Sequence, residues 1–132
     1  MIWNETKECM SRDEMTNLQS ARLRKLVDYV YHNVEFYRKK MQAVGLEPGD
    51  IKDINDIVKL PFTTKDDLRD TYPFGLFAVP HSEICRIHAS SGTTGKATVV
   101  GYTRRDLDTW SECVARCLNM AGVGRDDIIQ IA

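Results

Sequence analysis

Between Ser90 and Lys96 the chain reads "SSGTTGK", which sets four side-chain hydroxyls, two glycines and one ammonium within seven residues. Ser90, Ser91, Thr93 and Thr94 are hydroxyl donors, and Lys96 carries a positive charge on a long stem. Gly92 and Gly95 let backbone amides approach a ligand with no Cβ in the way, and consecutive amides in a tight turn form a concavity that takes anions. Donors of these three kinds at this spacing suit a polyphosphate. The same letters also suit an ordinary Ser/Thr/Gly turn, since these residues populate turns whether or not a ligand is near.

The common nucleotide loop, G-x-x-x-x-G-K followed by Ser or Thr on a strand-to-helix turn, does not fit. Gly92 lies only three residues before Gly95, Ala97 follows Lys96, and β-branched "TVV" comes next. Ala97 offers no hydroxyl to magnesium, and without an immediate helix no helix N-terminus holds the phosphate. Amides and hydroxyls of a hairpin-like loop would have to hold it instead.

Other reactive side chains have plainer readings, so no catalytic residue and no metal ligand is assigned. Cys9, Cys85, Cys113 and Cys117 contain no C-x-x-C pair, which suggests neither a disulfide framework nor a zinc site. Cys113 and Cys117 are one helical turn apart with no histidine at ligand spacing, and they read as packing residues. Asp66, Asp67, Asp126 and Asp127 read as charged helix starts and turns rather than metal ligands. Tyr72, Phe74 and Phe77 could line an acyl pocket, but their setting favours a segment that covers the core. His88 has two readings: it could approach a phosphate, or strand alternation could turn it into packing.

The loop needs elements to hold it. "SRDE" from Ser11 is a capping box, and Leu18, Leu23, Leu26, Val27, Val30 and Tyr31 recur at helical steps, predicting a helix to about Asn33. Asn33 is placed to cap a second helix that stops at Gly45. "IKDINDIVKLP" predicts a short helix before Pro61, Thr64 with Asp67 starts another, and "TYPFGLFAVP" forms no long regular element. "EICRIHA" and "TVVGYT" read as strands on either side of the loop. Thr103 then caps a helix with Leu107, Trp110, Val114, Leu118 and Ala121 along one face and Gly122 at its end, and "IIQIA" reads as the start of a buried strand. The fold class is therefore α/β: a mostly helical segment over 1–80, then over 81–132 the beginning of an α/β unit whose sheet is incomplete. Together they make one unfinished domain.

The 132 residues are 42% hydrophobic and 28% charged, which is ordinary globular composition in the size range of one domain. Eighteen basic against nineteen acidic residues give a net charge of −1, so nothing points to nucleic acid. The opening "MIWNETKECMSRDEM" lacks the features of a secretory signal, and no segment reaches membrane-spanning length; a cytoplasmic location and no membrane partner are expected. An unfinished sheet leaves an edge and apolar surface needing cover, which would suit a homodimer.

The chain resembles the phenylacetate-CoA ligases of the adenylate-forming acyl-CoA synthetase superfamily. That superfamily's phosphate loop has the form Ser/Thr-Ser/Thr-Gly-Thr-Thr-Gly-Lys-Pro, here "SSGTTGKA" over 90–97. Two longer blocks narrow the likeness: "LPFTTKDDLRDTYPFGLFAVP", Leu60 to Pro80, and "RIHASSGTTGKATVVGYTRRDL", Arg86 to Leu107. "NVEFYRKK" also resembles the ligases' Asn-Val-Pro-Phe-Tyr opening. Ala97 and Glu35 stand where the family usually has proline, and neither removes a phosphate donor.

The resemblance implies a two-step reaction in which phenylacetate and ATP give an acyl-adenylate and diphosphate, and coenzyme A then displaces AMP, with magnesium assisting. By motif match, Ser90, Ser91, Gly92, Thr93, Thr94, Gly95 and Lys96 would hold the β- and γ-phosphates. The family's adenine and acyl pockets and its mobile C-terminal domain lie further along, so this chain alone is expected to be inactive and the exact aryl acid is open. An alternative from another class is a non-catalytic helical interaction module that keeps the loop as an inherited connection. A general nucleotide switch is disfavoured by the missing hydroxyl after Lys96.

Overall fold

Ser11 opens the main helix as its capping box predicts. Its Oγ accepts from the Glu14 amide at 3.2 Å, and Glu14 Oε2 accepts from the Ser11 amide at 2.8 Å. The computed structural model describes residues 2–90 and 97–130, beginning with α1, Glu5–Glu8, and α2, Arg12–Asn33. Leu23, Val27 and Tyr31 face inward from α2, but Leu26 is 56% exposed. At about 100° per residue Leu26 sits a quarter turn from Val27, on the flank, whereas Ser20 falls inside the stripe. Ser20 is indeed buried, and its hydroxyl is satisfied by donating to Thr16 O at 2.7 Å and accepting from Ile54 N at 3.0 Å.

The second helix, α3, is Glu35–Gln42. Asn33 does not cap it. Val34 is the capping position with no side-chain bond, because Asn33 still belongs to α2 and its Nδ2 donates back to Tyr29 O at 2.8 Å. Gly45, at φ 67°, makes the left-handed turn that lets Leu46 N bond back to Met41 O. The predicted helix before Pro61 is a tighter 3-10 turn, Ile54–Lys59, started by Asp53 Oδ1 accepting from Asn55 N. Leu23, Val27, Tyr31, Met41, Leu46 and Ile51 form one buried cluster, flanked by Ile54 and Leu60.

Helix α4, Lys65–Asp70, starts at the Thr64 and Asp67 box as expected. Lys40 ties it to α3, since its ammonium reaches Phe62 O and Asp67 Oδ2 and lies 5.1 Å from the Phe36 ring centroid. Beyond this point lie β1, Arg86–Ala89, and β2, Val99–Tyr102, paired antiparallel, and then α5, Arg104–Met120, capped by Thr103 with Asp106. The two halves differ in packing. Every fully buried side chain among the described residues lies between Ser20 and Ile51.

The architecture is thus helical first and a two-stranded sheet with a following helix second, the beginning of an α/β unit with its sheet incomplete. The strand expected at "IIQIA" does not form over its described part. Residues 128–130 pair with no strand and Ile128 is 100% exposed, because an extended segment gains its ladder only from a neighbour. Ile131 and Ala132 lie outside the described residues. Gly122, at φ 94°, ends α5 as predicted. No helix is long and apolar enough to cross a membrane among the described residues.

Candidate functional site

The loop is framed by the β1–β2 hairpin. Register runs from Arg86 opposite Tyr102 to Ala89 opposite Val99. One step further, Ser90 N donates to Thr98 O at 3.0 Å, while the Ser90 hydroxyl accepts from Thr98 N at 3.0 Å and from Thr98 Oγ1 at 2.9 Å. Ser91, Gly92, Thr93, Thr94, Gly95 and Lys96 lie outside the described residues. The described flanks are two antiparallel strands, and after them the next helix begins only at Arg104. That geometry separates this run from the common nucleotide loop.

The two faces of the hairpin are covered differently. On one, His88 stands edge-on to Tyr102 and Trp110, at 5.0 and 5.6 Å, and Tyr102 stacks on Trp110 at 5.3 Å. Of the two readings of His88, the structure takes packing. The opposite face carries Ile87, which is 53% exposed, and Gly101, against which Phe77 packs; the rings of Phe74, Phe77 and His81 lie within 4.8 to 5.9 Å of one another. Phe77 thus packs on the hairpin, and with Phe74, His81, Ile84 and Ile87 it lines an open cleft of about 480 Å³. Tyr72 stays half exposed beside them.

Gly101 allows this approach. A Cβ there would lie 2.6 Å from Phe77 Cζ and 2.8 Å from Cε2, inside any real carbon contact. Gly101→Val is therefore expected to destabilise the fold by about 1–3 kcal/mol through overpacking, with Gly101→Ala smaller in the same direction. Urea midpoints check this. An unchanged midpoint for both would mean that Phe77 swings aside freely and does not fix the hairpin.

Of the four aspartates that read as helix starts and turns, Asp66, Asp67 and Asp127 have partners within the fold. Lys40, with help from Thr64, holds Asp67 below the usual carboxylate range; Asp66 pairs with Arg69 at 3.1 Å; and Asp127 closes a turn by accepting from Gly124 N at 2.6 Å. No group of three His, Cys, Asp or Glu among the described residues is placed to hold a metal. Cys113 and Cys117, expected to pack, are exposed because the apolar side of α5 is left largely uncovered within this chain.

Two residues of the site were not singled out from sequence. Thr98 becomes visible only when register sets it opposite Ser90. Gly101 had a signal, since a glycine inside a strand pattern marks close approach by another element.

No protein-family model matches the chain. It is 52% identical over 128 residues to the phenylacetate-coenzyme A ligase of Aromatoleum evansii, covering 97% of this chain and 29% of that protein. The Escherichia coli protein of the same name is 51% identical over 125 residues, again covering 29% of its length. Among solved structures, an open conformation of 2-hydroxyisobutyryl-CoA ligase in complex with 2-HIB-AMP and CoA superposes with a TM-score of 0.82 at 30% identity, covering 92% of this chain and 29% of that one. A second state of that ligase, also holding 2-HIB-AMP and CoA, gives a TM-score of 0.80 at 33% identity. The chain thus spans less than a third of the length of the relatives it matches.

Proposed function

We infer, for a chain that belongs with the phenylacetate-CoA ligases over the stretch it spans, that the parent protein joins phenylacetate or a related aryl acid to coenzyme A at the expense of ATP. A carboxylate oxygen attacks the α-phosphorus, the bond to diphosphate breaks, and the acyl-adenylate forms. The coenzyme A sulfur then attacks the acyl carbon and AMP leaves. Residues 1–80 are the helical opening of this protein, and residues 81–132 begin its ATP-binding α/β unit. The chain alone carries out no turnover.

The observation that carries this reading is the Ser90 and Thr98 clasp, which joins the two strands that flank the hydroxyl, glycine and lysine run. Ser90 to Lys96 would receive the β- and γ-phosphates, and charge growing on the departing diphosphate would meet donors already aimed at it. Lys96 acts by charge and not as a base. Magnesium would assist ATP, and no cluster of the described carboxylates is grouped to hold it. A cytoplasmic homodimer is also proposed; Val58 and Phe62, 86% and 89% exposed, supply apolar surface for association.

The test is exchange of labelled diphosphate into ATP by the parent protein. Exchange should require an aryl acetate, with phenylacetate the best among related acids, and should be missing from the 132-residue chain. Exchange that ignores added acid, or none under any acid, would sink the reading.

A further inference from the structure

Residues 2–8 form an arm that reaches across the molecule to α5. Trp3 Nε1 donates to Glu112 Oε2 at 2.8 Å, and Asn4 Nδ2 donates to Glu112 Oε1 at 2.7 Å. One turn along α5, Arg116 gives the same Oε1 two more bonds, from Nε at 3.1 Å and Nη2 at 2.8 Å. Glu8 completes the network by accepting from Asn4 N at 2.6 Å with its Oε1, which lies 4.0 Å from Arg116 Nε. Four donated bonds are about all that one carboxylate can accept.

Burial does not hold the arm. Ile2 and Trp3 are 56% and 50% exposed, so the polar bonds to Glu112 are its main attachment. An exposed Arg and Glu pair one turn apart is worth little by itself. Here, however, the carboxylate also receives neutral donors from residues more than a hundred positions away. Those bonds tie the two ends of the fold together.

The place of Glu112 gives the tie a purpose. It lies two residues after Trp110, about 200° around the helix, so the arm sits opposite the side of α5 that stacks on the hairpin. We propose that the arm is a latch with Glu112 as its receiver, holding α5 from behind so that Trp110 keeps Tyr102, His88 and the hairpin in register. Glu112 is a positioning residue. The latch goes beyond the ligase reading and stands or falls independently of it.

The experiment uses the full chain labelled with ¹⁵N, with the Trp3 and Trp110 indole signals assigned through Trp3→Phe. In Glu112→Gln the Trp3 signal should move toward that of free tryptophan, and trypsin should cut after Lys7 or Arg12 about tenfold faster, as expected for losing bonds to a charged group. The Trp110 indole and the Tyr102 amide should shift too. Trp3→Phe keeps an aromatic ring, though a smaller one, and removes the indole N–H donor, so faster cleavage in that variant supports the latch even if Glu112→Gln folds poorly. Cleavage at the parental rate in both variants would overturn the latch. Faster cleavage with unmoved Trp110 and Tyr102 signals would overturn its positioning role.

Discussion

On the proposed ligase reading, Lys96→Ala in the parent protein should lower aryl-acetate-dependent exchange of diphosphate into ATP by about 10²- to 10³-fold, the usual cost of removing one donor to transition-state charge. The loss should fall mainly on kcat. ATP brings its phosphates already charged, so a lysine that served ground and transition states equally would change KM instead. Charge on the bridging oxygen grows only as the bond to the α-phosphorus breaks, and an ammonium at the β- and γ-phosphates gains most at that moment. Lys96→Arg separates charge from shape: it keeps the charge but replaces a compact ammonium with a planar fork, and should recover only part of the rate. Full exchange activity in Lys96→Ala would remove the lysine from the chemistry and leave the loop a simple turn.

Reading this chain from its sequence works best where one short interaction decides the outcome. Ser11 with Glu14, Thr64 with Asp67 and Thr103 with Asp106 are local pairs three residues apart, and each starts a helix where its spacing says it should. Asn33 is just as local, yet it had two carbonyl and amide neighbourhoods to choose from, and closing α2 won over opening α3. Leu26 and Ser20 show a different limit. Their helical angles predict their burial, but their hydrophobicity points the other way, and the angle prevails because the buried Ser20 hydroxyl is fully bonded.

The candidate site divides similarly. Strands on either side of the loop follow from β-branched and aromatic letters, but the Ser90 and Thr98 clasp needs register, which a single strand does not encode. The Glu112 and Arg116 pair is one helical turn apart and legible, but Trp3 and Asn4 reach Glu112 from more than a hundred positions away, where no periodicity brings them together. Arg116 first, then Trp3 and Asn4, hold the Glu112 carboxyl down to about 2. With the folded pKa depressed, the contribution of these contacts is complete above the ordinary glutamate range near 4.5 and is lost as pH falls from there through about 2. The latch therefore stays closed throughout the neutral range.

The uneven packing of the two halves leads to the largest expected effect on stability. Ile51 is 2% exposed and packs in a cluster with Leu23, Val27, Tyr31, Met41 and Leu46, while no described residue after it is fully buried. Ile51→Ala removes three carbon groups from this cluster and leaves a cavity that α2 and α3 cannot close without losing their other contacts. The expected cost is about 2–5 kcal/mol, a large share of the roughly 5–15 kcal/mol that a domain has in total. Val58→Ala, at a side chain 86% exposed, should stay within about 0.5 kcal/mol and serves as the control. Urea titrations followed by helical circular dichroism compare the two directly. Equal midpoints would mean that Ile51 is not in the core that holds the helices together. A large loss for Ile51→Ala alone would establish the cluster between Ser20 and Ile51 as the platform from which the sparsely packed hairpin and α5 are carried.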